Sequence, residues 1–401
     1  MNQKVFVTGL GAISAIGNNV NDQYQSLING KSGIGDISFL KTVLKGKILA
    51  AEVKLSDDEL HHIAGVDRNL LFTRTELLAI TAAREAMNDA GLEDTSERTG
   101  FISATSVGGM SSTESRYFEY LYDTGPADYL PLIKQHGCGE GTDMIADVLN
   151  INGLRSTIST ACSSSANSIM MGARLIKTGI LDRAIVGGVD SLTMFTLNGF
   201  RSLMILDQEH CKPFDNERRG LNLGEGAGYI VIESEESIKK RNKKPYCLLS
   251  GYANTNDAFH QTASSPEGEG AYGAMKSALE IANVKASDID YINAHGTGTE
   301  INDLSEGNAL VNIFGDNLPP FSSTKSFTGH TLAASGGLEA VFSVLSIDRK
   351  VIFPNINWQN QMSDVNIRPV TEVIKEIEIN HVLSNSFGFG GNTSALLFSR
   401  N

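Results

Sequence analysis

Cysteine is scarce in this chain: four residues in 401, Cys138, Cys162, Cys211 and Cys247. No two stand close enough for a CxxC metal or redox pair, and four are too few for a disulfide scaffold. The composition therefore predicts a reduced, cytoplasmic protein. Basic residues are outnumbered, 33 Lys and Arg against 46 Asp and Glu, for a formal net charge of -13. That argues against nucleic acid as a partner, since phosphate contacts need clustered cations. It leaves room for a local basic patch facing an acidic partner. No run approaches 18 apolar residues, so no membrane span is expected. The opening "MNQKVFVTGLGAIS" carries one lysine and a short apolar stretch broken by Gly9 and Gly11, which does not read as a signal peptide. HExxH is absent along with the paired cysteines, so no metal site is expected.

What is there is an ordinary globular composition, 41% hydrophobic and 20% charged, with ample length for a large core. Short β-rich segments read as strands at 5–7, 100–103, 184–187, 229–232, 290–294 and 395–398. Amphipathic stretches lie between them, such as "TELLAITAAREAMNDAG" with Leu77, Leu78, Ile80, Ala83 and Met87 on one face. This alternation predicts α/β layers. The charged stretch "ESEESIKKRNKKP", residues 233–245, reads as a connection between two parts, 1–245 and 246–401, with no sequence repeat across it. Residues 110–150 have little clean periodicity and read as an insertion.

Four short segments carry chemistry. In "STACSSSAN", Cys162 follows a strand-like "RSTIST" and precedes apolar residues at helical spacing, Ala166, Ile169, Met170, Ala173 and Ile176, with Gly179 as a stop. A thiol at a helix N-terminus meets free N–H groups and the positive dipole end, which lower its pKa and can hold an oxyanion. The other three cysteines read as packing residues. In "NAHGTGT" an apolar strand runs into His295, where loops at strand ends carry function. "STKSFTGHTLAASGGLEA" offers Lys325, His330 and Glu339, and "NSFGFGGNTSALLF" surrounds Phe389 with glycines that let the backbone approach a ligand. One thiol and two imidazoles fit nucleophilic thiol chemistry.

Taken in order, "TACSSSANSI", "NAHGTGT", "KSFTGHTLAASGGLEA" and "NSFGFGGN" resemble the β-ketoacyl-acyl-carrier-protein synthases of the elongating type. "VFVTGLGAIS", "LINGKSGIG" and "PFDNERRGLNLGEGAGYIVIE" look like the same family, so the resemblance spans nearly the whole chain. It implies a thiolase-like fold, two similar halves stacked as five layers α-β-α-β-α, usually a homodimer, with a heterodimer with a related subunit as the other option. It implies a Cys162, His295, His330 triad supported by Lys325 and Glu339, which would orient the second histidine and its loop. Backbone N–H groups of Cys162 and Phe389 would form the oxyanion hole, with Phe389 also the gate. Thr297, Thr299, Phe200 and Gly390 would meet the substrate.

The activity implied is decarboxylating condensation of an acyl thioester with malonyl-acyl-carrier protein in type II fatty-acid synthesis, with no cofactor. The partner implied is acyl carrier protein in its acyl and malonyl forms, an acidic protein, for which Arg68, Arg74 and Arg201 are the docking candidates. Two departures stand out. Ser159 replaces the usual acidic residue three before the nucleophile, and "SLTMFTLNGFRSLMILD" is unusually rich in Met, Leu and Phe near the acyl pocket. The first leaves the chemistry standing, since the triad is intact; the second favours, as the alternative, an elongating ketosynthase of a specialised polyene or polyketide pathway, with or without a partner subunit. A dinucleotide oxidoreductase is set aside because Ser14 stands where "VTGLGAISAIG" needs its third glycine. A degradative thiolase would need a cysteine near Phe389, a priming synthase an asparagine at His330, and a non-catalytic partner subunit would lack Cys162.

Overall fold

The structure, a computed structural model, describes residues 3–67, 69–92, 95, 98–122 and 133–401. Ten strands form its main sheet: β1 (Val5–Ser14), β2 (Thr99–Ala104), β3 (Arg155–Ile158), β4 (Arg183–Asp190), β5 (Gly226–Ser234), β6 (Cys247–Asn256), β7 (Tyr291–Asn293), β8 (Phe321–Ser322), β9 (His381–Gly388) and β10 (Asn392–Ser399). Their order across the sheet is β8-β7-β9-β10-β6-β1-β5-β4-β2-β3. Read outward from the centre, β1-β5-β4-β2-β3 and β6-β10-β9-β7-β8 are one pattern written twice. In each set the first two pairings are antiparallel and the last two parallel. The two sets join through only two residue pairs, Phe6 with Leu248 and Val7 with Cys247. The duplication that the sequence conceals is thus plain in the topology.

Six helices complete the layers: α1 (Arg74–Ala90), α2 (Ser164–Lys177), α3 (Met194–Ser202), α4 (Glu269–Ala282), α5 (Glu300–Phe314) and α6 (Ser335–Arg349). α2 packs on β4, α6 packs on β5 and β9, and the two helices touch each other between the two sets of strands. α1 covers β1 and β5, and α4 covers β6 and β10, from the outside. This yields the five layers α-β-α-β-α. Burial follows from that position: every residue of α6 from Ser335 to Ile347 is buried, as a helix covered on all sides requires.

Five of the six expected strands fall inside observed ones, and the sixth, 290–294, overruns β7 by one residue at each end. Gly9 and Gly11, the false start of a dinucleotide loop, have a packing role. A Cβ on Gly11 would lie 1.9 Å from the Ala82 carbonyl oxygen of α1, and one on Gly9 2.2 Å from that of Ala86. The helix therefore lies directly on the strand backbone. Among its described residues the stretch read as an insertion carries the helices Met110–Tyr122 and Cys138–Val148. The charged connection is a short helix, Glu235–Arg241, whose Arg241 bonds to Glu233 and to the Ala90 and Gly91 carbonyls. Among the described residues no helix is long and apolar enough to cross a membrane.

Candidate active site

The repeated topology puts a strand-to-helix turn at the same place in each half. The β3-to-α2 turn carries Cys162, and the β8-to-α6 turn carries His330. Both residues line one cavity of about 230 Å³, together with His295 from the loop after β7. All three are nearly buried, at 4%, 3% and 2% exposure.

The cysteine turn is tight. Ala161 has φ +52°, a left-handed backbone that costs a non-glycine residue energy and is held by the surrounding bonds. Those bonds are neutral. Ser163 Oγ donates to Asn392 Oδ1 (2.6 Å), Asn167 Nδ2 to Asn392 Oδ1 (2.9 Å), and the Thr160 N–H to Ser164 Oγ (2.8 Å). Asn392 begins β10, so it ties the cysteine turn to the glycine loop that carries Phe389. Gly388 completes that contact: a Cβ there would lie 3.2 Å from the Cys162 nitrogen and 2.9 Å from the Thr160 carbonyl oxygen. The backbone N–H groups of Cys162 and Phe389 are thus held on adjoining passages of chain.

The low thiol pKa expected at a helix N-terminus is not found in the resting site. Burial pushes the Cys162 thiol up to about 12, against the opposing pull of the Lys325 cation and the Phe389 backbone N–H. Cys162 precedes the first helical residue by two positions, and burial of the thiol outweighs the helix field. Cys211 and Cys247 are as buried but do not line the cavity.

The two imidazoles are anchored by different means to the same end. Lys325 Nζ lies 3.1 Å from His295 Nδ1, 2.6 Å from the His295 carbonyl oxygen, and against Glu339 Oε1. An ammonium has three N–H groups and no acceptor, so these three partners satisfy it and His295 Nδ1 must accept. At His330, Nδ1 accepts from the Leu332 backbone N–H (3.2 Å) and meets Ser335 Oγ at 3.0 Å. A backbone N–H only donates, so this Nδ1 accepts too. Each ring therefore carries its proton on Nε2. Burial and the Lys325 cation hold both imidazoles well below their usual pKa of 6.5, so the rings are neutral. The two rings meet edge to face at 5.4 Å.

This corrects one expectation. Lys325 and Glu339 orient the first histidine, His295, and not the second. His330 is placed by backbone: its N–H donates to the Asn222 carbonyl (2.7 Å) and its carbonyl accepts from the Gly224 N–H (2.9 Å). Burial raises the Glu339 carboxyl to about 7 against the pull of Lys325.

Several supporting residues escaped the sequence reading. Glu306, fully buried, accepts from the His295 and Gly296 N–H groups, and Asp303 from those of Thr297, Gly298 and Phe214. These carboxylates rise from the first turns of α5 and grip the loop before it. Their signal was present in "GTGTEINDLSE" as acidic residues just after a glycine loop. Asp190, at the end of β4, accepts from the Ser106 and Val107 N–H groups and from Ala333 N–H (2.9 Å), linking the first half to the His330 turn.

Of the remaining expected site residues, Thr297, Thr299, Phe200 and Phe389 line the cavity. The Phe200 and Phe389 rings stack at 5.6 Å. Gly390 does not line it. Its N–H donates to the Gln261 carbonyl (2.8 Å), and its φ of +81° makes the turn after Phe389. Arg74 does not fit an exposed docking cation either: its side chain is 11% exposed and pairs with Glu225 and Asp57. Arg201 is exposed at the end of α3, and Arg68 lies outside the described residues. Arg219, Met204 and the segment Thr262–Ser264 line the cavity mouth unforeseen. Among the described residues no group of three or more His, Cys, Asp or Glu is arranged to hold a metal ion. The arrangement provides one thiol, two Nε2–H donors and backbone N–H groups around one cavity. That set suits acyl transfer to sulfur and stabilisation of an enolate oxygen.

Comparison with known proteins agrees. Residues 2–237 match the beta-ketoacyl synthase N-terminal domain, and residues 246–359 the beta-ketoacyl synthase C-terminal domain. The chain is 36% identical to 3-oxoacyl-[acyl-carrier-protein] synthase 2 of Staphylococcus aureus (strain COL), across 100% of this chain and 99% of that one. It is 35% identical to the protein of the same name from Coxiella burnetii (strain RSA 493 / Nine Mile phase I), across 99% of each. Among solved structures, the ishigamide ketosynthase/chain length factor superposes with a TM-score of 0.93 at 31% identity, over all of both chains. The AntDE:AntF complex, a type II polyketide-synthase acyl-carrier protein with its ketosynthase, gives 0.89 at 26%, again over all of both chains.

Proposed function

The chain belongs to the beta-ketoacyl synthase family, and from that premise we propose that it catalyses the decarboxylating condensation of an acyl thioester with malonyl-acyl-carrier protein. The product is 3-oxoacyl-acyl-carrier protein, and the main setting is type II fatty-acid synthesis. Cys162 attacks the acyl thioester carbon. The tetrahedral oxyanion is held by the Cys162 and Phe389 N–H groups, each worth about 3 kcal/mol in such a hole. The carbon–sulfur bond to the carrier breaks, and the departing thiolate ends with the proton that Cys162 gives up. With Nε2 protonated, neither histidine serves as base toward the cavity.

Malonyl thioester then enters. Its carboxylate leaves as CO₂, and the bonding pair becomes an enolate whose oxygen accepts from His295 Nε2–H and His330 Nε2–H. The enolate carbon attacks acyl-Cys162, the acyl–sulfur bond breaks, and the Cys162 thiolate takes a proton from solvent. Lys325 keeps His295 in the donor tautomer, and Glu339 holds Lys325. Phe389, stacked on Phe200, gates the acyl side, and Thr297 and Thr299 meet the pantetheine arm. None of these steps calls on a metal or organic cofactor.

The observation that carries the reading is the convergence of Cys162, His295 and His330 on one cavity with both Nδ1 atoms occupied. The partners in this reading are acyl carrier protein in its acyl and malonyl forms and, across the free edge of β3, a second copy of the chain in a cytoplasmic homodimer. Residues 1–245 and 246–401 are its two halves. The likeness to a ketosynthase/chain length factor pair favours a second setting: elongation in a specialised polyene or polyketide pathway beside a related subunit.

The test is intact-protein mass after mixing with a panel of acyl-carrier proteins, with Cys162→Ala as control. A gain of one acyl group, absent in the variant, is the expected result, and the preferred acyl group separates the two pathways. No gain with any donor, alone or with a partner subunit, contradicts the reading.

A further inference from the structure

In a chain with net charge -13, residues 37–54 carry four lysines, Lys41, Lys45, Lys47 and Lys54, and all four are exposed. None forms an ion pair among the described residues, and Lys45 reaches only the Ser38 carbonyl. The single carboxylate of the segment faces inward. Glu52 is 1% exposed and accepts from the backbone N–H groups of Ser38, Phe39 and Leu40 at 2.6, 2.9 and 2.7 Å. It folds the loop while removing its own charge from the surface, so the exposed charges of residues 37–54 are all cationic; the exposed Asp36, paired with Leu49, marks one border of the patch. Phe39 and Val43 stand out among the lysines, 43% and 75% exposed. The acidic first turn of the helix Asp57–Ala64 bounds the patch at one end.

The patch adjoins the cavity wall. Ile37, Leu44 and Ile48 pack in one apolar cluster with Phe200 and Ile205, which line the cavity. The Ala51 N–H donates to the Leu223 carbonyl, one residue from the Asn222 carbonyl that receives the His330 N–H. Lysines around two apolar side chains match a protein whose surface is acidic with a small apolar contact.

We propose that Lys41, Lys45, Lys47 and Lys54, around Phe39 and Val43, form the docking surface for the acidic carrier protein that presents the thioester. This assignment replaces Arg74 and rests on the condensing-enzyme reading above. Its charge pairs lie at an exposed rim, so they set encounter and apparent affinity, and leave the chemistry alone.

The experiment compares Lys41→Glu/Lys45→Glu/Lys47→Glu with the unmodified enzyme, using acyl-carrier protein and a short acyl-pantetheine thioester as separate donors. Lys→Gln at the same three positions is the milder second variant, and Arg201→Glu the rival site. The expected result is a KM for the carrier-borne donor raised at least about tenfold, with kcat within about twofold. The acyl-pantetheine rate is unchanged, and the difference shrinks as salt rises. The Gln variant falls between. An unchanged carrier KM with a normal acyl-pantetheine rate overturns the docking surface and leaves the condensing reading standing, as does a rise confined to Arg201→Glu. A change of oligomeric state without a change in KM assigns the patch to a second copy of the chain and also overturns it. An unmodified enzyme that takes an acyl group from neither donor brings down the condensing reading and the docking surface with it.

Discussion

The two halves of this molecule share a strand order and a layer plan, yet their equivalent turns do different chemistry. The β3-to-α2 turn offers a thiol, and the β8-to-α6 turn offers an imidazole. The difference lies in how each turn is built. Cys162 sits on a strained residue, Ala161, braced by hydroxyls and amides that carry no charge. Burial pushes its thiol up to about 12. His330 sits on a backbone strip at residues 222–224, and Asp190 of the first half holds the following residues in place. A duplicated scaffold thus supplies two topologically equivalent turns, and local anchoring distinguishes the group each one presents.

The comparison breaks first at the thiol. Cys162→Ala should cut elongation by on the order of 10⁴-fold or more, measured as 3-oxoacyl product, because a nucleophile has no substitute. Removing one enolate donor should cost less. His330→Ala should slow malonyl decarboxylation by about 10²–10³-fold while acyl transfer to Cys162 persists. Lys325→Ala should fall below that, at about 10–100-fold on decarboxylation. Since Lys325 touches His295 and not His330, it should add little to His295→Ala and much to His330→Ala; equal additions would contradict the assignment of its partner.

The pH dependence sharpens the contrast in another way. A lowered pKa means each ring takes up a proton only at a pH below its usual 6.5, so the neutral donors persist as the solution is acidified through that value. Decarboxylation should show no acid limb from the histidines between about pH 8 and about pH 6; a shallow limb near pH 7 should come from Glu339, whose carboxyl burial raises to about 7, and should vanish in Glu339→Gln, whereas a limb centred at 6.5 that survives in that variant would show solvated histidines. The smallest effect should come from Ser335→Ala. The Leu332 N–H still occupies His330 Nδ1, so decarboxylation should change less than about threefold.

Much of the site was legible in the sequence because it is carried by short runs. "STACSSSAN" announces a strand, a turn and a helix, and "NAHGTGT" a buried strand ending in a histidine loop. What escaped depends on long-range pairing. The repeat shows only in which strands pair, since periodicity reports neighbours in sequence and not neighbours in the sheet. Lys325 stands five residues before His330, and that closeness suggested the wrong partner; its ammonium reaches back 30 positions to His295. The thiol pKa departs from the sequence expectation because a helix N-terminus is visible in sequence, whereas the burial of the sulfur is not. Arg74 read as a surface cation because its buried partner, Glu225, lies 151 residues away.

The central claim is a division of labour: the first half's turn supplies the nucleophile, and the second half supplies the enolate donors. The most direct test measures the two half-reactions separately in two variants, by acyl-enzyme mass and by CO₂ release from malonyl-carrier protein. Cys162→Ala should accept no acyl group yet still release CO₂, and His330→Ala should accept the acyl group yet release almost none. If either variant lost both half-reactions while keeping its fold, the roles would not be separable and the account would be wrong.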